Sequence, residues 1–120
     1  MSKAEQVPLK SIQGVDVPAL GFGTFELLGD DCRRAVARAI EAGYRHIDTA
    51  RMYDNEAAVG QGLIDSGIVR DQCFVTSKVW HEDLSPETIR NEVNRSLEEL
   101  RTDYLDLVLI HWPNPDYSLA

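Results

Sequence analysis

The sequence predicts an α/β fold built on a parallel sheet, and two observations carry that prediction. From about residue 20, strand-like segments alternate with segments of helical periodicity, and such βαβ units join parallel strands by right-handed crossovers. Three of the strand-like runs then end on a polar residue, Asp48, Lys78 or His111, at the end of the sheet where closed parallel sheets keep their functional groups.

The first element is "VPLKSIQGVDVPAL", two short strands about Gln13-Gly14, a two-residue hairpin turn in which glycine supplies positive φ. This hairpin, residues 1–19, precedes the βα units of residues 20–120 in what reads as one domain. "ALGFGTF" is the first strand of the sheet. "DDCRRAVARAIEAG" follows as a helix with Cys32, Val36, Ala39 and Ile40 on one stripe and Gly43 as its stop. "RHIDTA" is the second strand, and "NEAAVGQGLIDSG" a second, weaker helix ending at Gly67. "QCFVTSKVW" is the third strand. In "SPETIRNEVNRSLEELR", Ser85 is the N-cap and Pro86 the first helical residue, with Ile89, Val93, Leu97 and Leu100 as the apolar stripe. "DYLDLVLIHW" is the fourth strand, followed by the proline-rich "PNPDYSLA".

Composition removes several classes. A net charge of −8 argues against a nucleic-acid partner, whose phosphates need a basic surface. No run approaches the ~18 apolar residues of a membrane span, and "MSKAEQVPLK" is too polar for a signal peptide. Cys32 and Cys73 lack metal-ligand spacing and read as buried reduced thiols rather than a disulfide, which points to the cytoplasm; no metal site is expected.

Two architectures fit the alternation. A doubly wound nucleotide-binding sheet would carry G-x-G-x-x-G at its first turn, but "GFGTFE" has Glu26 where the third glycine belongs. The remaining architecture is a parallel (β/α)8 barrel, represented by about four βα units behind the hairpin. Alternation groups Asp48 with His46, Lys78 with Thr76 and Phe74, and His111 with Leu109, Leu107 and Leu105. Parallel strands lie ~4.8 Å apart, so the three strand-end residues converge at one mouth, with Tyr53 in the loop beside it. Lys78 is then the expected partner of Asp48. Asp106, of opposite parity, is expected to anchor a neighbouring loop or helix end; His46, Asn55 and Glu56 read as local hydrogen-bonding partners.

Taken singly, Asp48 could cap its loop, Lys78 could snorkel out of the mouth and His111 could be a satisfied core histidine. What the four could do together is a separate question. A tyrosine can donate its proton to a carbonyl oxygen, and an adjacent ammonium stabilises the phenolate left behind. Asp48 would keep that lysine charged despite burial, and His111 could orient the same carbonyl. An acid without a nucleophile or metal suits hydride addition to a carbonyl, the hydride coming from a cofactor.

At this point "GYRHIDTARMYDNE", "TSKVW" and "LVLIHWP" together resemble the motifs of the aldo-keto reductases, from about Val7 to Pro115. The resemblance implies a (β/α)8 barrel that uses NADPH to reduce aldehydes or ketones, with Tyr53 as general acid, Lys78 and Asp48 tuning it and His111 positioning the substrate. It further implies cofactor contacts from Thr24, Phe25 and Asp48, and a pocket lined by Phe25, Trp80, His111 and Trp112. Many relatives have tryptophan in place of Phe25. The family's barrel has eight strands, so the chain corresponds to its N-terminal half; with an initiating Met present, the difference is expected at the C-terminal end. Later strands supply most of the family's adenosine and phosphate site. The alternative is a truncated or non-catalytic half-barrel acting through self-association or a partner. Four strands with helices on one side leave the inner face open, and Leu105, Leu107 and Leu109 are expected to meet water.

Overall fold

The computed structural model describes residues 7–113 and Pro115. Strands β1 (Leu9–Ile12) and β2 (Val15–Pro18) form the antiparallel hairpin, with Ile12 opposite Val15. Gln13 and Gly14 between them have φ of 51° and 79°, the doubly left-handed backbone of a type I′ turn.

Four parallel strands follow: β3 (Phe22–Gly23), β4 (His46–Asp48), β5 (Phe74–Val79) and β6 (Leu107–Ile110), in the sheet order β3-β4-β5-β6. Helices α1 (Gly29–Ala42), α2 (Glu56–Ser66) and α3 (Pro86–Leu100) connect them, with short 3-10 turns at Arg51–Tyr53 and Arg70–Gln72. Sheet order follows chain order without reversal. Among the described strands there is therefore no switch point of the doubly wound kind, and they wind as a barrel does, a partial (β/α) barrel behind a hairpin.

Each helix forms for a local reason. In α1, Asp30 and Asp31 sit in the first turn, where the helix dipole favours negative charge, and Gly43 ends it in the left-handed conformation at φ 111°. The weak amphipathicity of α2 has a packing explanation. A Cβ at Gly60 would lie 2.6 Å from the Leu100 carbonyl oxygen, and one at Gly62 would lie 2.6 Å from that of Arg33. Glycine thus lets α2 approach α3 on one side and α1 on the other. In α3, Ser85 Oγ accepts the Thr88 N–H at 3.3 Å and Pro86 takes the first helical position.

The core lies between the helices and one face of the sheet, where Val36 and Ile40 of α1 meet Ile47, Val59, Val75 and Leu100. Three details differ from the sequence reading. Hydrogen-bonded pairing is shorter than the apolar runs: β3 holds only Phe22–Gly23, because the Leu27 N–H already closes a turn on the Thr24 carbonyl and Glu26 takes φ 67°. The fully buried residues of α3 are Ser96 and Leu100, while Ile89, Val93 and Leu97 are half-buried. Leu105 leaves the set it was grouped with. The Asp106 carboxylate accepts the Val75 N–H at 2.8 Å, so regular pairing starts only at Leu107 and Leu105 packs against the core. Leu107 and Leu109 are open to solvent as expected.

Candidate active site

Asp48 and Lys78 stand at the C-terminal ends of β4 and β5, His111 follows β6, and Tyr53 closes the 3-10 turn after β4. Asp48 pairs with Thr76, so Lys78 lies two residues farther along the neighbouring strand with its side chain on the same face. Its ammonium reaches back to three oxygens. It donates to the Asp48 carboxylate, to the Thr49 carbonyl at 3.2 Å and to Tyr53 Oη at 3.0 Å. All three N–H donors are thereby used. Burial works against the charged form, but the hydrogen bonds and charges of Asp48 and Tyr53 outweigh it and hold Lys78 above its ordinary value. The lysine is a fixed cation. The partner of Asp48 is the one the strand register foretold.

The Tyr53 ring is flanked by Phe25 at 5.3 Å and by His111 at 5.6 Å, the latter edge-on. His111 stacks on Trp112 with 8° between ring planes. Its Nδ1 is buried and has no hydrogen-bond partner among the described residues. Burial pushes this imidazole below its ordinary value, the Lys78 charge acts in the same direction and Asp48 opposes both. The ring is therefore neutral at pH 7, with one nitrogen able to donate. Asp48, Tyr53, Lys78 and His111 are thus brought together at one rim.

The other expected residues divide. Phe25, Trp80 and Trp112 are 65%, 41% and 57% exposed, just past β3, β5 and β6, and offer apolar faces at the rim. Thr24 is fully buried with its polar atoms turned inward: hydroxyl and N–H both donate to the Asp48 carbonyl, at 3.0 and 3.1 Å. It shapes the turn that presents Phe25. His46 bonds Thr76 Oγ1 at 2.8 Å, and Asp106 holds Arg70 as well as Val75.

The support beneath the rim was less legible. Buried Asn55 donates to the carbonyls of Thr24 and Leu27 at 2.8 and 2.9 Å and accepts from Thr49 Oγ1 at 2.6 Å. It ties the loop bearing Tyr53 to the turn bearing Phe25, a longer reach than the local role its position suggested. Arg51 and Ser77 also belong to this support and were not singled out. Their signal was adjacency, since Arg51 lies two residues before Tyr53 and Ser77 immediately before Lys78. Among the described residues no cluster of three or more His, Cys, Asp or Glu is placed to hold a metal ion.

A parallel, barrel-wound sheet with this rim defines a narrow class of protein, and comparison with known proteins gives the family. The Aldo/keto reductase family profile matches residues 19–120, and the chain belongs to that family. It is 50% identical over 104 residues to methylglyoxal reductase DkgB of Salmonella typhi, covering 87% of this chain and 39% of the relative. It matches an aldo/keto reductase from Brucella melitensis with a TM-score of 0.87 at 43% identity, covering 92% of this chain and 43% of that one. A Bombyx mori aldo-keto reductase in complex with NADP matches with a TM-score of 0.82 at 38% identity, over 94% and 41% of the two chains. The chain spans about two fifths of the length of these relatives.

Proposed function

We propose that this chain carries the acid–base site of an NADPH-dependent reductase that converts an aldehyde or ketone to an alcohol. The observation that carries the reading is the single Lys78 ammonium shared between the Asp48 carboxylate and the Tyr53 phenol oxygen. In that arrangement Tyr53 gives its proton to the carbonyl oxygen as negative charge develops there, and Lys78 stabilises the phenolate that remains. Asp48 keeps Lys78 charged and aimed. Neutral His111, beside the Tyr53 ring, donates a second hydrogen bond to the same oxygen and orients it. In reverse, the phenolate takes the proton of an alcohol.

A bound nicotinamide cofactor supplies the hydride. The residues fit such a group chemically: exposed aromatic faces stand beside a partly exposed Asp48 carboxylate and the Thr24–Phe25 turn, which would hold it. The NADP complex of a relative supports the same assignment. Phe25, Trp80, His111 and Trp112 would line the substrate side. Similarity to a methylglyoxal reductase makes a small α-oxoaldehyde the substrate to try first. Two buried thiols support a cytoplasmic setting, and among the described residues no helix is long and apolar enough to cross a membrane.

Strand β6 supports a second reading, a non-catalytic relative acting through self-association or a covering partner, since Leu107 to Ile110 are each 37–40% exposed. One pair of measurements separates the two. NADPH binding with turnover of methylglyoxal, followed by nicotinamide absorbance, establishes the reductase. A chain that neither binds NADPH nor turns over aldehyde, yet sediments as a defined oligomer, establishes the rival.

A further inference from the structure

Glu56 opens α2 with a carboxylate that is 1% exposed. Two different elements reach for it, one to each oxygen. Arg51 Nη1 donates to Oε1 at 2.6 Å, and Ser77 Oγ donates to Oε2 at 2.7 Å. Arg51 belongs to the same 3-10 turn as Tyr53, and Ser77 precedes Lys78 in β5. Alternation places Ser77 with Val75 on the helix-facing side of the sheet and Lys78 on the opposite side. One carboxylate therefore grips, from behind the sheet, the two stretches of backbone whose front-side groups meet at 3.0 Å. Arg51 is itself braced from α3, its Nε donating to Glu92 and its Nη1 to Glu99, each at 3.1 Å.

Burying a carboxylate this deeply is costly unless it is paired, and an apolar residue of similar volume often packs at no loss of stability. An apolar contact slides, however, whereas a planar group with two fixed oxygens sets a distance. We propose that Glu56 is a positioning residue: by bridging Arg51 and Ser77 it fixes the turn carrying Tyr53 against the strand carrying Lys78 and so sets the phenol–ammonium contact. Its purpose rests on the reductase reading above; its geometry stands apart from it.

The test labels the tyrosines of the chain with carbon-13 and follows their ring signals by NMR. The Tyr53 signals, identified by their loss in Tyr53→Phe, report the ring's place between Phe25 and His111. In Glu56→Gln they shift while those of Tyr44 and Tyr104 stay. Ser77→Ala, which removes one arm and leaves the ion pair, shifts them by less. Glu92→Gln takes a different partner from Arg51, spares the bridge and leaves them in place. In the turnover assay, Glu56→Gln lowers kcat at least about tenfold with the KM for aldehyde unchanged, as expected of a misplaced acid. Should Glu56→Gln fail to fold, the Ser77→Ala spectra decide. Tyr53 signals that stay put in folded Glu56→Gln and Ser77→Ala, or that move as far in Glu92→Gln, overturn the proposal. Since the spectra need neither cofactor nor substrate, absent turnover in the unmutated chain would count against the reductase reading alone.

Discussion

Strands β5 and β6 lie side by side, paired in register from Thr76–Leu107 to Val79–Ile110; β6 is wholly apolar, and β5 mixes Phe74, Val75 and Val79 with Thr76, Ser77 and Lys78. They nevertheless live in different surroundings. In β5 every residue is buried except the half-buried Lys78, whereas all four residues of β6 are exposed. β5 has β4 and β6 on its two edges and the helices against Val75; β6 has a strand on one edge only among the described residues. Sequence pattern decides which residues could be covered, and topology decides which are. For the site, Lys78 rises from a fully braced strand and His111 from an edge.

That contrast makes the largest prediction one about activity. On the proposed reductase reading, Lys78→Met removes the cation that Tyr53 and Asp48 share, and turnover of methylglyoxal should fall by about 10²–10⁴-fold. His111→Gln, which keeps a hydrogen-bond donor on the edge strand but aims it less well, should cost no more than about tenfold, the worth of one hydrogen bond. Steady-state kinetics on both variants checks this; the reverse order would break the comparison.

Stability gives the next test, on the cross-strand pair Val79 and Ile110, which are 2% and 38% exposed. Val79→Ala removes two buried methyl groups and leaves a cavity, a loss of about 2 kcal/mol. Ile110→Ala removes more carbon but should cost about 1 kcal/mol or less, because part of that side chain already meets water. Urea unfolding of the two variants measures the difference. A larger loss at Ile110 would mean that β6 is covered in solution, and sedimentation would then show by what.

The pH dependence should be smaller, with opposite signs at the two strands. Lys78 is raised in the folded state, so its contribution is complete below the unfolded lysine value of ~10.4 and is lost as pH rises through the folded value. His111 is lowered. Above ~6.5 it is neutral in both states; below that the unfolded chain takes up the proton first, and stability falls until the folded ring follows. Unfolding midpoints across pH should therefore decline less steeply on the acid side in His111→Gln than in the parent chain.

The smallest effect expected is none at all. Burial pushes the thiols of Cys32 and Cys73 up to about 11, so neither should react with an alkylating reagent in the native chain, and both should after urea. Mass spectrometry of the treated protein reads this directly.

Much of the fold was legible because its signals are local. Gln13-Gly14 fixed the hairpin, Ser85-Pro86 the start of α3 and Gly43 the end of α1. The meeting of Asp48, Lys78 and His111 was legible because strand alternation and strand-end position place them, while Tyr53 was legible only as a loop residue just beyond β4. What escaped depends on contacts distant in sequence. Leu105 turns into the core because the Asp106 side chain takes a backbone N–H that strand pairing would have used. The reach of Asn55 to Thr24 and of Glu56 to Ser77 follows from how α2 seats against the sheet, and periodicity carries no record of that. Nor does periodicity show why Gly60 and Gly62 stand in α2, where a Cβ would meet a neighbouring helix backbone at 2.6 Å.

The proposed chemistry depends on Tyr53 as proton donor, held by Lys78. The most direct measurement is the single-turnover reduction of methylglyoxal, with NADPH saturating, by the chain and by its Tyr53→Phe variant. The ring of phenylalanine fills the same space beside Phe25 and His111 but has no proton to give. A rate at least about 10²-fold lower in the variant, with NADPH affinity unchanged, is the predicted result; equal rates in the two proteins would contradict it.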